Sequence, residues 1–136
     1  MKVLVDTSIW SLALRKSKSA DLEKIEEIKE LINELRVVMI GPIRQELLSG
    51  ISEIEKYNQL KEKLRYFEDF TIDMEYYEFA AQLSNTCRKH GIQGSHTDFL
   101  ICSVAIKNKF PIFTSDKDFI NFKKYIDIQI YECRRN

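Results

Sequence analysis

Pro111-Ile112-Phe113-Thr114-Ser115-Asp116-Lys117-Asp118-Phe119 decides how the rest of the chain is read. Its apolar start predicts a short core strand at Ile112-Phe113. A hydroxyl and two acids follow, and an aromatic side chain returns to the core within a short helix over 117–124. The same order recurs upstream. Val3-Leu4-Val5, within a strand over 2–5, runs into Asp6-Thr7-Ser8. Val37-Val38-Met39-Ile40 runs into Gly41-Pro42 and a helix that carries Glu46 and ends near Gly50. Strands that alternate with helices predict an α/β fold: one domain over 1–136, with a central, mostly parallel sheet of four to five short strands flanked by helices. In such a sheet, side chains just past the carboxyl ends of the strands converge on one crevice. Asp6, Glu46 and Asp116 all stand at such ends.

The remaining segments supply the helices. Residues 8–15 predict a short helix capped by Asp6, Thr7 or Ser8, with Trp10 and Leu14 sharing its inward face. From Asp21 to Arg36 the apolar positions Leu22, Ile25, Ile28, Ile32 and Leu35 recur at helical spacing. Ile54, Tyr57, Leu60, Leu64 and Phe67 mark another amphipathic helix, Phe70 to Ile72 a brief strand, and residues 74–89 a further helix closed by Lys89-His90-Gly91. The loop Gly91 to Thr97, with its two glycines, is expected to bend toward a ligand. Thr97 is the expected cap of a buried helix over 98–108, which places Asp98 in its first turn. Ile128 to Tyr131 is a candidate edge strand.

Composition narrows the function classes. The 136 residues hold 21 basic and 21 acidic side chains, a balance unlike that of a dedicated nucleic-acid coat or basic tail. No apolar run reaches the ~18 residues of a membrane span, and no signal-like start is present, so a cytoplasmic protein without membrane contact is expected. Cys87, Cys102 and Cys133 form no CxxC pair, which points to neither a zinc knuckle nor a disulfide framework.

Each acid has an ordinary explanation when taken alone. Asp6, Thr7 and Ser8 are common helix caps; Glu46 fits a solvated helix face; Asp98 suits the positive end of a helix dipole; Asp116 and Asp118 suit a turn that caps the next helix. Together they imply an acidic pocket. Two ionised carboxylates about 4 Å apart repel by roughly 4 kcal/mol at an effective dielectric near 20, so a cluster of four calls for a cation, and a hard divalent metal suits oxygen donors.

The constellation resembles the PIN-domain ribonucleases and, within them, the VapC-type toxins of toxin-antitoxin modules. The resemblance rests on Asp6-Thr7-Ser8 at the first strand, Glu46 after the second, Asp98 opening a late apolar helix, and the TxDxDF pattern of Thr114, Asp116, Asp118 and Phe119. It implies a magnesium- or manganese-dependent endoribonuclease with Asp6, Glu46, Asp98 and Asp116 as its catalytic acids. It also implies an RNA substrate, a cognate antitoxin that holds the enzyme inactive, and a homodimer. Phosphodiester hydrolysis by a carboxylate-held dication needs no Cys or Ser nucleophile. Asp6, Asp98 and Asp116 are the first choices as metal ligands, direct or through water. Glu46 either positions a ligand water or completes the shell, and Thr7, Ser8 and Thr114 orient the acids. Asp118 is either an outer ligand or a helix cap.

Other residues carry weaker signals. His96, two positions before Asp98, is either a general base or a loop histidine without a role. Arg15-Lys16-Ser17-Lys18 and Arg88-Lys89-His90 are either phosphate contacts or solvated helix ends, and Lys117 and Arg44 are the better candidates for phosphate contact. Tyr66, Tyr76 and Tyr77 are either base-stacking or core or rim residues. Three alternatives to a toxin remain open: a housekeeping PIN nuclease for RNA maturation, a catalytically inactive PIN scaffold, and a phosphohydrolase using Asp6 as nucleophile. The last is disfavoured because Ser8 stands where the haloacid-dehalogenase pattern requires a second Asp.

Overall fold

A computed structural model describes residues 1–15 and 21–134. The elements in order are β1 (Val3–Val5), α1 (Thr7–Leu14), α2 (Leu22–Asn33), β2 (Val37–Val38), α3 (Gly41–Leu48), α4 (Ile54–Leu64), α5 (Met74–Lys89), α6 (His96–Asn108), β3 (Ile112–Phe113) and α7 (Asp118–Lys123). The basic run at 15–18 lies outside the described residues beyond Arg15. None of the described helices is long and apolar enough to cross a membrane.

The three strands form a parallel sheet in the order β2-β1-β3. Val3 pairs with Val37 and Leu4 with Val38 on one side; Leu4 pairs with Ile112 and Val5 with Phe113 on the other. A central parallel strand is covered on both faces, which explains why Val3, Leu4 and Val5 are all fully buried and apolar. Parallel neighbours require crossovers. The chain leaves β1 through α1 and α2 to reach β2 on one flank, then passes through α3 to α6 to reach β3 on the other. Connections therefore depart to opposite sides of β1, and a crevice opens at its carboxyl end.

Two further pairings extend the sheet as isolated parallel bridges, Met39 with Asp69 and Ile112 with Ile130. The strand expected at 70–72 does not form, since the bridge to Met39 falls on Asp69 just before it; that expected at 128–131 is reduced to the single bridge at Ile130, and the strand expected over 37–40 is paired as β2 for two residues only. Each outer segment meets the sheet briefly because the chain turns into a helix or a loop at once.

Helix boundaries differ from the sequence pattern where local geometry wins. The second helix stops at Asn33 rather than Arg36, and Leu35 adopts φ +59 with 69% of its surface exposed. Its place in the apolar register is accidental. Leu14 is also exposed, whereas Trp10 is buried and packs edge-on to Phe67, so the two share no inward face. α5 matches its predicted bounds, and Gly91, at φ +76, supplies the left-handed residue after its end. α6 is buried from Phe99 through Ala105 and packs along α5, with the Ser103 hydroxyl donating to the Tyr76 carbonyl at 2.8 Å. This buried helix presents its N-terminus to the crevice beside β1.

Candidate active site

Asp6 is the centre of the arrangement. It follows β1 directly, its backbone N–H donates to the Phe113 carbonyl at 2.9 Å, and only 5% of its surface is exposed. Its Oδ2 accepts hydrogen bonds from the Thr114 hydroxyl at 2.7 Å, the Ser8 hydroxyl at 2.8 Å and the Ser8 backbone N–H at 3.4 Å. The two hydroxyls are themselves held. Ser115 N–H donates to Ser8 Oγ at 2.9 Å and Asp116 N–H to Thr114 Oγ1 at 2.9 Å, so each hydroxyl proton is left to point at Asp6. Asp6-Thr7-Ser8 and Thr114-Ser115-Asp116 are thereby laced together across β1 and β3. Asp6 Oδ1 accepts no hydrogen bond among the described residues.

Asp98 enters from α6. The cap of this helix is Ser95 rather than Thr97, and the helix starts at His96. Ser95 Oγ accepts from Asp98 N–H at 3.0 Å, while Asp98 Oδ2 accepts from Ser95 N–H at 3.0 Å, a reciprocal capping box. The Ser-x-x-Asp spacing of residues 95–98 was the available signal, obscured because Thr97 is also a good capping residue. Gly94 precedes it for reasons of space. A Cβ there would stand 2.6 Å from Phe122 Cζ and 3.0 Å from Phe99 Cε2, so at Gly94 the loop expected to bend toward a ligand is packed against α6 and α7.

The electrostatics couple these acids. Burial pushes the Asp98 carboxyl above its ordinary pKa; hydrogen bonds from Ser95 pull it back, and the negative charges of Asp116 and Asp6 push it further up. Asp116 lies three residues beyond β3, and its Oδ1 accepts from Asp118 N–H at 2.9 Å. Glu46 is exposed on α3, where Oε1 accepts from the Thr7 hydroxyl at 2.6 Å, tying the outer acid to the residue after Asp6. Asp118 is exposed in the first turn of α7. Among the described residues, none of Asp6, Glu46, Asp98 or Asp116 forms a salt bridge.

Oxygen donors, mutual repulsion and the lack of a protein cation fit a hard divalent ion. As the side chains stand, no three acid, His or Cys groups among the described residues enclose a metal position, since Asp6 is turned onto its hydroxyls and Asp98 onto its cap. Thiol chemistry is disfavoured: burial raises the Cys102 pKa well above its ordinary value, Asp98 raises it further, and burial raises that of Cys87.

Several basic and aromatic candidates sort differently. Arg44 is committed to the scaffold: it pairs with Asp69 at 2.8 Å and donates to the carbonyls of Leu64, at 2.9 Å, and Phe67. It is not available for phosphate. Lys24, on α2 and without any motif to single it out in the sequence, donates from Nζ to Ser115 Oγ at 3.3 Å, one residue before Asp116. Tyr76 packs against Phe70 and accepts from Asn108 Nδ2 at 3.1 Å, whereas Tyr66 and Tyr77 remain exposed.

Residues 3–125 match the family model for the PIN domain. No curated protein matches the sequence. Among solved structures, the chain is similar to FitAcB from Neisseria gonorrhoeae, with a TM-score of 0.76 and 21% identity over 96% of each chain. It is also similar to VapBC2 from Rickettsia felis bound to a DNA fragment from their promoter, with a TM-score of 0.77 and 18% identity over 96% of this chain and 98% of the other. A third structure, FitAB bound to an IR36 DNA fragment, gives 0.75 and 21% over 95% and 93%.

Proposed function

The chain belongs to the PIN-domain family, and from that premise we propose that residues 1–136 act as one metal-dependent endoribonuclease domain, the toxin of a toxin-antitoxin pair. The observation that carries the reading is the coupling of Asp98 to Asp116 and Asp6 at the carboxyl end of β1 and β3, with no cation among the described residues paired to any of them. The likeness to VapBC2 and FitAB supports a toxin held by a cognate antitoxin.

Asp6, Asp98 and Asp116 would hold Mg2+ or Mn2+. When bound, a divalent ion lowers the pKa of an attached water and offsets charge on the phosphoryl oxygens. The protein's own part is positioning. Ser8 and Thr114 fix Asp6 Oδ2 and leave Oδ1 without a hydrogen-bond donor among the described residues. The capping box fixes Asp98 at the crevice. Thr7 holds Glu46, which orients water at the rim. Lys24 stands by Asp116 as a cation for an incoming phosphate. His96 has no assigned step, and Asp118 serves the turn into α7.

Purified protein is expected to cut RNA with magnesium or manganese and to stop on chelation, and sequencing the new 5′ ends identifies the target. No metal-dependent cleavage of any RNA overturns the nuclease reading. Full activity tolerated by the host without a co-encoded inhibitor removes the toxin reading and leaves a maturation nuclease. Sedimentation tests the homodimer.

A further inference from the structure

A cavity of about 360 Å3 lies between α5 and the start of α6. Tyr77, Ser84, Asn85 and Arg88 line it from one face of α5, and His96 and Phe99 from α6. The hollow exists because that face of α5 carries Ala80, Ala81 and Ser84 where a packed face would carry larger side chains. None of its lining residues is a carboxylate. Arg88 and Asn85 make no side-chain hydrogen bond or ion pair among the described residues, and Tyr77 is 53% exposed. The α6 wall is continuous with the acids, since His96 and Phe99 bracket Asp98 within one helical turn, about 5.4 Å along the axis.

Resting on the nuclease reading, we infer that this cavity takes the base of one unpaired nucleotide of the RNA substrate, adjacent to the phosphate at the acids. Unstacked bases are recognised by aromatic faces together with amide or hydroxyl groups that meet their edges, and Arg supplies the phosphate contact. Tyr77 and His96 provide the aromatic surfaces, the buried Phe99 the floor, Ser84 and Asn85 the edge contacts, and Arg88 the cation. Charge complementarity favours RNA over a second copy of the chain, because the wall holds a guanidinium with no ion partner among the described residues and offers no carboxylate to neutralise another Arg88.

The test is binding of a fluorescent single-stranded oligoribonucleotide to full-length Asp98→Asn protein, alone and combined with Arg88→Ala, Tyr77→Ala or Tyr77→Phe. Tyr77→Ala is expected to weaken binding by about five- to a hundredfold with an unchanged salt slope, and Tyr77→Phe to restore it. Arg88→Ala is expected to weaken binding and to reduce the log-log salt slope by about 0.7. If the unmodified chain cleaves RNA but these substitutions change neither affinity nor slope, the cavity is not a nucleotide site, and the nuclease reading stands. A loss of binding that accompanies dissociation of a dimer in sedimentation assigns the cavity to a subunit interface and also overturns the inference. If the unmodified chain neither cuts nor binds RNA, the nuclease reading fails and the subsite with it.

Discussion

Glu27 and Asp98 are both carboxylates placed against apolar structure, and their surroundings treat them in opposite ways. Glu27, on α2 with 2% of its surface exposed, receives the Tyr131 hydroxyl and the Arg134 guanidinium, the latter at 2.9 Å. Arg134 also reaches Glu34 at 3.0 Å and Glu30 at 3.6 Å, joining the C-terminal segment to α2. Burial pushes the Glu27 carboxyl up, but the hydrogen bonds from Tyr131 and Arg134 outweigh it and leave the pKa lowered. Asp98 has no basic partner among the described residues, and its neighbours Asp116 and Asp6 add to the effect of burial, so its pKa is raised. The lesson is physical: an acid that serves only the fold is supplied with a counter-charge by the fold, whereas the acids at the strand ends are left short of one. Such a deficit is what a cation-binding site requires.

The sharpest way to break this contrast is to remove charge from each side of it. Asp6→Asn, Asp98→Asn and Asp116→Asn are each expected to abolish metal-dependent RNA cleavage while the protein stays folded, checked by gel assay and circular dichroism. If purified Asp6→Asn and Asp98→Asn both cut at the unmodified rate with magnesium present, the acids are misassigned. The next largest effect is on the support of Asp6. Thr114→Val keeps the shape but deletes the proton donated to Oδ2 and the acceptor for Asp116 N–H, and is expected to cost about 10- to 100-fold in cleavage rate or metal affinity. A rate equal to that of the unmodified chain would detach Thr114 from the site.

Glu27→Gln addresses stability instead. It removes the charge that meets Arg134 and is expected to destabilise by about 1–3 kcal/mol in denaturant titrations at neutral pH, with cleavage retained. Because the folded pKa of Glu27 is lowered, its contribution is complete above the unfolded carboxylate pKa and is lost as pH falls through the folded value. The stability gap between the two proteins therefore narrows in acid. A gap constant down to pH 2 would show that the carboxylate charge is not the stabilising feature.

Asp98→Asn has the opposite sign. A raised folded pKa means that ionisation of Asp98 penalises the metal-free fold as pH rises through that value, and protonation relieves the penalty as pH falls. Asparagine can still accept from Ser95 N–H, so metal-free melts at neutral pH are expected to show unchanged or slightly increased stability. Magnesium or manganese is expected to raise the Tm of the unmodified protein and that of Asp98→Asn much less. Equal metal-induced shifts would separate Asp98 from any cation site. The smallest effect is expected for Asp118→Asn. This side chain is exposed and it is its backbone N–H that meets Asp116, so most of the cleavage rate is expected to survive; complete inactivation in the same assay would make Asp118 a ligand.

The parallel α/β arrangement and the positions of the acids along it were legible in the order of residues alone. Apolar runs such as Val3-Leu4-Val5 and Ile112-Phe113 belong to the core whatever surrounds them, and an acid directly after a buried strand stays at its end. The segment 74–89, closed by Lys89-His90-Gly91, likewise forms α5 with those bounds. Choices among near-equivalent local options were left to the tertiary structure. Ser95 and Thr97 are both competent caps, and the reciprocal bonds with Asp98 favour Ser95. Leu35 fits a helical register that the chain leaves at a left-handed residue. Arg44 and Lys24 are both cations in a string of polar residues, yet Arg44 is bound to Asp69 and Lys24 reaches Ser115, 91 positions away. Only the folded chain brings Thr114 within 2.7 Å of Asp6 and places the charges of Asp116 and Asp6 around Asp98. These contacts depend on distances between segments remote in sequence, and spacing along the chain contains no term for them.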